Sequence, residues 1–195
     1  MHLYAKGHSQ RGPSFRVPLQ AINGAKCGTL FSICYAQLSP VRQGDSSAPE
    51  DTILDEFPNT GKYEAFIPAP ESCFKDEAFN WHLTTRNFFA FLFLKPLVGV
   101  HLGKSIVDLR ERLGMFRSEG VNNEKDLHAY LERVGYLEFA HNPDYALAVL
   151  YYAEQYQLRN LWIDAFAHCV GMNEVLSLSS EFEVSTPPSS AMFAH

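Results

Sequence analysis

Apolar positions follow two different periods along this chain. In the first third they alternate: residues 2–5 and 14–20 read as short strands on either side of "KGHSQRGP", with Phe15, Val17 and Leu19 on one face. "KYEAFI" (62–67) reads as a third strand, placing Tyr63, Ala65 and Ile67 together before Pro68 and Pro70 stop it. Between them, "NGAKCGTLFSICYAQL" carries Cys27, Leu30, Cys34 and Leu38 at helical spacing. Residues 39–61, with three prolines, two glycines and an acidic balance, interrupt the pattern and read as a disordered insertion.

From about residue 72 to 176 the helical period takes over. Thr84 or Thr85 is the expected N-cap of a helix running to Lys95, where Pro96 ends it. That helix places Phe88, Phe91 and Leu92 on one face and Phe89 and Phe93 on another, an apolar surface wrapping most of the cylinder. Around residues 103–113, Leu102, Ile106, Leu109 and Leu113 form an inward stripe. Asp108, Arg110, Glu111 and Arg112 are expected to face water, and Gly114 to supply the left-handed stop. A helix from Asn123 carries Leu127, Leu131 and Val134 inward and ends at Gly135. Asn142 caps the next, with Pro143 at the first helical position and Asp144 against the positive dipole end. "PDYALAVLYYAEQYQL" and "RNLWIDAFAHCVG" then pair as a helical hairpin, Val149, Leu150, Ala153 and Leu158 against Trp162, Phe166, Cys169 and Val170, and residues 177–195 read as a disordered Ser/Thr/Pro tail.

Composition narrows the function classes. The chain is 195 residues long and 46% hydrophobic, enough for one domain, expected over residues 1–176. A net charge of −6 opposes nucleic-acid binding, which draws its affinity from clustered Lys and Arg. The run "FFAFLFL" is cut short by Lys95 and Pro96, so no membrane span is expected. No leader is visible at the start. The four cysteines are scattered without a CxxC, which fits an intracellular protein of the cytoplasm or nucleus.

The candidate chemistry is thin. Gly7 and Gly12 have phosphate-loop spacing, but Pro13 stands where the lysine belongs. His82, His101, His128 and His141 lack the spacing that would put two imidazoles on one helix face, so neither metal nor cofactor is expected. Asp164, His168 and Cys169 lie close together in "WIDAFAHCVG". Adjacent helix positions diverge by about 100°, so His168 is badly placed to take the Cys169 proton, and a structural role near the helix end is favoured.

The order of elements, with "TTRNFFAFLFLK" and "YALAVLYYAEQYQLRNLWIDAFAHCV" turning at Tyr156-Gln157-Leu158, resembles a BTB/POZ domain. "RGPSF", "WHLTTRNFFAFLF" and "PLVG" resemble an uncharacterised group of fungal proteins carrying such a region. The resemblance implies an α+β fold, a small mixed N-terminal sheet backed by helical hairpins, and an intracellular module that self-associates or recruits a partner protein. The expected function is protein–protein interaction without catalysis, with a partner protein or as a homodimer, through Phe89, Phe93, Tyr151, Tyr152 and Tyr156. The alternatives are a small hydrolase or transferase using Cys169 or His168 with His82 or Asp144, and a truncated structural fragment that would aggregate.

Overall fold

The computed structural model describes residues 1–4, 13–33, 35–38 and 63–183. The insertion expected at 39–61, the turn at 5–12, Cys34 and residues 184–195 lie outside the described residues. The architecture is helical, not α+β. Its elements are α1 (Leu19–Gly24), α2 (Gly28–Ile33), β1 (Tyr35–Leu38), β2 (Tyr63–Phe66), α3 (Lys75–Leu92), α4 (Leu102–Phe116), α5 (Asn123–Val134), α6 (Pro143–Gln155), α7 (Arg159–Gly171), α8 (Asn173–Leu176) and a 3-10 turn at Ser180–Glu183. Among the described residues, strand pairing is confined to the antiparallel β1–β2 ribbon and one parallel bridge from His2 to Phe66. The expected mixed sheet is therefore replaced by a minor ribbon on a helical body. Residues 15–18 form no strand, because Pro18 opens α1 directly.

Helix α3 begins ten residues earlier than the threonines suggest. Glu77 accepts from the Phe74 amide at 2.9 Å, and Asp76 and Glu77 set negative charge in the first turn. The Thr84 and Thr85 hydroxyls donate to the carbonyls of Asn80 and Trp81, four residues back, so they sit inside the helix and not at its start. Similarly, α4 continues through Gly114 to Phe116. Gly114 is not among the glycines with positive φ, whereas Gly135 is, at 86°, and ends α5 as expected. The Asn142 side chain accepts from the Tyr145 amide, so the local signal for α6 is realised in full.

Two apolar clusters hold the body together. The larger joins the N-terminal segment, α3, α4 and α5 through Leu30, Ile67, Phe88, Ile106, Leu109 and Leu131; the smaller joins α6, α7 and α8. Between them α4 crosses α6 at a close approach. A Cβ on Gly103 would stand 3.1 Å from the Ala148 backbone and from the Tyr151 ring, so a methyl there would require its neighbours to give by a few tenths of an ångström.

Polar side chains tie distant segments. Arg117, buried, donates to the Ala25 carbonyl (2.9 Å), Asn123 Oδ1 (3.0 Å) and Asp126 Oδ2 (2.6 Å), fastening the end of α1 to α5. Asn87 pairs with both backbone groups of Val98, and the Tyr136 hydroxyl accepts from the Leu97 amide. Residues 177–183, expected as part of the tail, are folded, and Glu181 is buried with its carboxylate at the N-terminus of α4. Its Oε1 accepts from Leu102 N–H at 2.5 Å and its Oε2 from Gly103 N–H at 3.0 Å, capping α4 with a residue far along the chain.

Candidate functional site

Five aromatic residues were singled out from the sequence, and the structure separates them. Phe89 is 3% exposed, packed edge-on against Phe88 and tilted on Phe15, and Tyr152 is 2% exposed. Both are core. Tyr151 is partly buried against α4 at Gly103, and Tyr156 is covered by the Arg110 guanidinium, 3.8 Å above its ring. Phe93 alone is well exposed, at 40%, at the C-terminal end of α3. The five do not converge on one surface. Arg112, expected in water, is instead buried between the Trp81 and Phe116 rings with its Nη1 donating to the Thr85 hydroxyl, and desolvation lowers its pKa to about 10.

The Asp164, His168 and Cys169 constellation does not assemble either. Cys169 faces α6 and is wholly buried, and desolvation pushes its thiol up to about 12, far from the thiolate a nucleophile needs. His168 is exposed in the last turn of α7, edge-on to Phe139 at 5.2 Å, while Asp164 lines an open cleft. The proposed helpers are engaged elsewhere: Asp144 Oδ1 accepts from the Ser179 hydroxyl at 2.5 Å, and His82 packs against Tyr4. Burial and the Arg112 charge both lower the His82 pKa. Among the described residues no group of three or more His, Cys, Asp or Glu side chains could hold a metal ion. No helix there is long and apolar enough to cross a membrane.

The cleft has a volume of about 800 Å³ and lies between the start of α5 and the α6–α7 turn. Glu124, Lys125 and His128 line one wall, and Arg159, Asn160 and Asp164 the other. The Tyr152 hydroxyl, at its floor, accepts from Arg110, whose other nitrogen bonds Glu124 at 3.0 Å. The lining mixes both charges and holds no thiol or aliphatic hydroxyl. Gln157, left-handed at φ 55°, turns the chain at the cleft's edge. Across that turn a smaller pocket of about 290 Å³ opens beside Trp162 and Arg159.

The surface that stands out is the outer face of α7. Ala165 and Cys169 pack inward on α6. Ile163, Ala167 and Val170, at i, i+4 and i+7, fall within about 60° of one another on the other side and are exposed, Ile163 at 47% and Val170 at 50%. Trp162 and Phe166, stacked at 4.7 Å with 9° between their planes, flank this stripe half-buried. Among the described residues, the stripe of Ile163, Ala167 and Val170 is exposed beyond the surfaces packed against α7. The sequence pattern sets Val170 inward with Trp162, Phe166 and Cys169, but Val170 is 50% exposed, because in the continuous apolar stretch "LWIDAFAHCV" buried and exposed positions look alike.

A family model described as a domain of unknown function (DUF8004) matches residues 124–195, less than half of the chain and including α5 to α8. No BTB/POZ model matches, so the BTB/POZ resemblance and the fold drawn from it are withdrawn, and nothing in the match bears on a fungal source. No curated protein matches the chain. No solved structure matches it either.

Proposed function

We propose that this chain is a protein-interaction module of the cell interior, without catalysis of its own, and that it binds through the outer face of α7. The observation that carries this reading is the exposed stripe of Ile163, Ala167 and Val170 beside the stacked Trp162–Phe166 pair. Covering the exposed halves of Ile163 and Val170 would gain roughly 1 kcal/mol each, and the half-buried Trp162 ring beside them offers large contact area at small entropic cost. The pocket beside Trp162 would accept one side chain at the rim. Phe89 and Tyr152, both core, leave the list of contact residues. The burial of Cys169 argues against the hydrolase or transferase alternative.

The test compares the wild-type chain with Ile163→Asp/Val170→Asp, both verified as folded by circular dichroism. Wild type should form a defined complex, with itself or with another protein, in purified form or in cell extract. The variant should lose it. Identical complexes from both proteins would refute the assignment to α7.

A further inference from the structure

We infer that the cleft between the start of α5 and the α6–α7 turn is a binding site for a carboxylate, carried by a ligand with an apolar body. This site does not depend on the α7 face. Its starting point is the Tyr152 hydroxyl at the cleft floor. Tyr152 is 2% exposed and its oxygen accepts from Arg110 Nη1 at 3.2 Å, but among the described residues nothing accepts its own O–H. The Arg110 guanidinium is itself fixed, 3.8 Å from the centre of the Tyr156 ring and with Nη2 3.0 Å from Glu124 Oε2. It therefore holds the hydroxyl oxygen and leaves the proton for another acceptor. Burial raises the Tyr152 pKa, which keeps that proton in place.

The charges around the floor select the class of acceptor. Lys125 on one wall and Arg159 on the other are exposed, and among the described residues neither side chain has a hydrogen-bond or ion-pair partner. Glu124 is taken up by Arg110, so among the described residues Asp164 is the unpaired carboxylate of the lining. With His128 neutral, the cleft offers one net positive charge, which matches a monoanionic carboxylate and falls short of a phosphate dianion. Helix α7 opens at Arg159 without a side-chain cap, so the positive end of its dipole borders the same space, and the Asn160 side chain adds a neutral donor. Leu158 and Leu161, half-buried in the wall, give apolar contact, and a volume of about 800 Å³ leaves room for a ligand body beyond the carboxylate.

Two carboxylate probes distinguish the sources of such a ligand: phenylpropionate for a free organic acid, and acetyl-Leu-Glu-Leu-amide for an acidic peptide. Each is titrated into the isotope-labelled full-length chain and followed by NMR, beside its neutral counterpart, phenylpropionamide or acetyl-Leu-Gln-Leu-amide. At least one carboxylate should bind, with shifts centred on Lys125, Arg159 and Asn160, on the order of ten-fold more tightly than its neutral counterpart. Tyr152→Phe, which removes only the hydroxyl, and Lys125→Gln, at an exposed position, should each weaken binding several-fold. The Lys125 variant keeps the test valid even if Tyr152→Phe disturbs the fold around Arg110. Binding of the free acid, of the peptide or of both supports the site and names the source. Failure of both carboxylates to bind overturns it, as does equal binding of the neutral counterparts. Tighter binding of inorganic phosphate, or carboxylate binding indifferent to Lys125→Gln or to a folded Tyr152→Phe, overturns it as well.

Discussion

Helices α3 and α7 both carry apolar side chains on several faces, yet the central rings of α3 are enclosed, while Phe79 near its start is 64% exposed and the outer aliphatic stripe of α7 is exposed along its length. On α3, Phe88 and Phe89 are enclosed by the N-terminal segment and α4, and Phe91 packs edge-on against Tyr130 of α5. On α7, cover among the described residues comes from α6, α8 and Phe139, and Ile163, Ala167 and Val170 are exposed. Apolar width in a sequence therefore does not mark an interface. What marks it is width in excess of the neighbours the fold provides, and neighbours are a tertiary property.

That contrast can be broken by substitution, and the largest effect should come from α3. Phe88→Ala removes a fully buried ring and should cost about 3–5 kcal/mol in urea unfolding, whereas Ile163→Ala should leave the stability of the isolated chain within about 0.5 kcal/mol. Comparable losses at the two positions would mean that α7 is covered within its own chain. Gly103→Ala should come next. The added methyl must displace the Ala148 backbone or the Tyr151 ring, and a loss of about 1–3 kcal/mol is expected in thermal unfolding.

Glu181→Gln keeps an acceptor at the start of α4 but removes its charge, and should cost about 1 kcal/mol. Its size would show how firmly residues beyond α8 belong to the body. The smallest effect concerns pH. Burial raises the Cys169 thiol to about 12 and Cys27 to about 11, from an ordinary value of 9.0, so the unfolded chain releases these protons first as pH rises. Their contribution to stability is complete below pH 9.0 and lost progressively toward 11 to 12. Denaturation midpoints followed through that window should fall, and fall less steeply in Cys169→Ala.

How much of this was legible depended on the range of the signal. The start of α6 at Asn142-Pro143 and the end of α5 at Gly135 were readable because cap and helix are neighbours in sequence. The start of α3 was missed because threonine hydroxyls bond equally well to a carbonyl four residues back, and only the fold decides between the two. Arg112 looked solvent-bound because its place between Trp81 and Phe116 requires α3 to lie alongside α4. Glu181 looked like part of a loose tail because the amides it caps belong to Leu102 and Gly103. At the site, aromatic content drew attention to Phe89 and Tyr152, which the core absorbs, and away from the aliphatic stripe that it leaves outside.

The central claim is that the outer face of α7 is covered by protein in the cell. A photo-crosslinking amino acid placed at Ile163, compared with the same group at exposed Lys104 on α4, tests it most directly. A discrete protein adduct from position 163, absent from position 104 and abolished by Val170→Asp, is the predicted result. Equal adducts from both positions, or an adduct from 163 that ignores Val170→Asp, would contradict it.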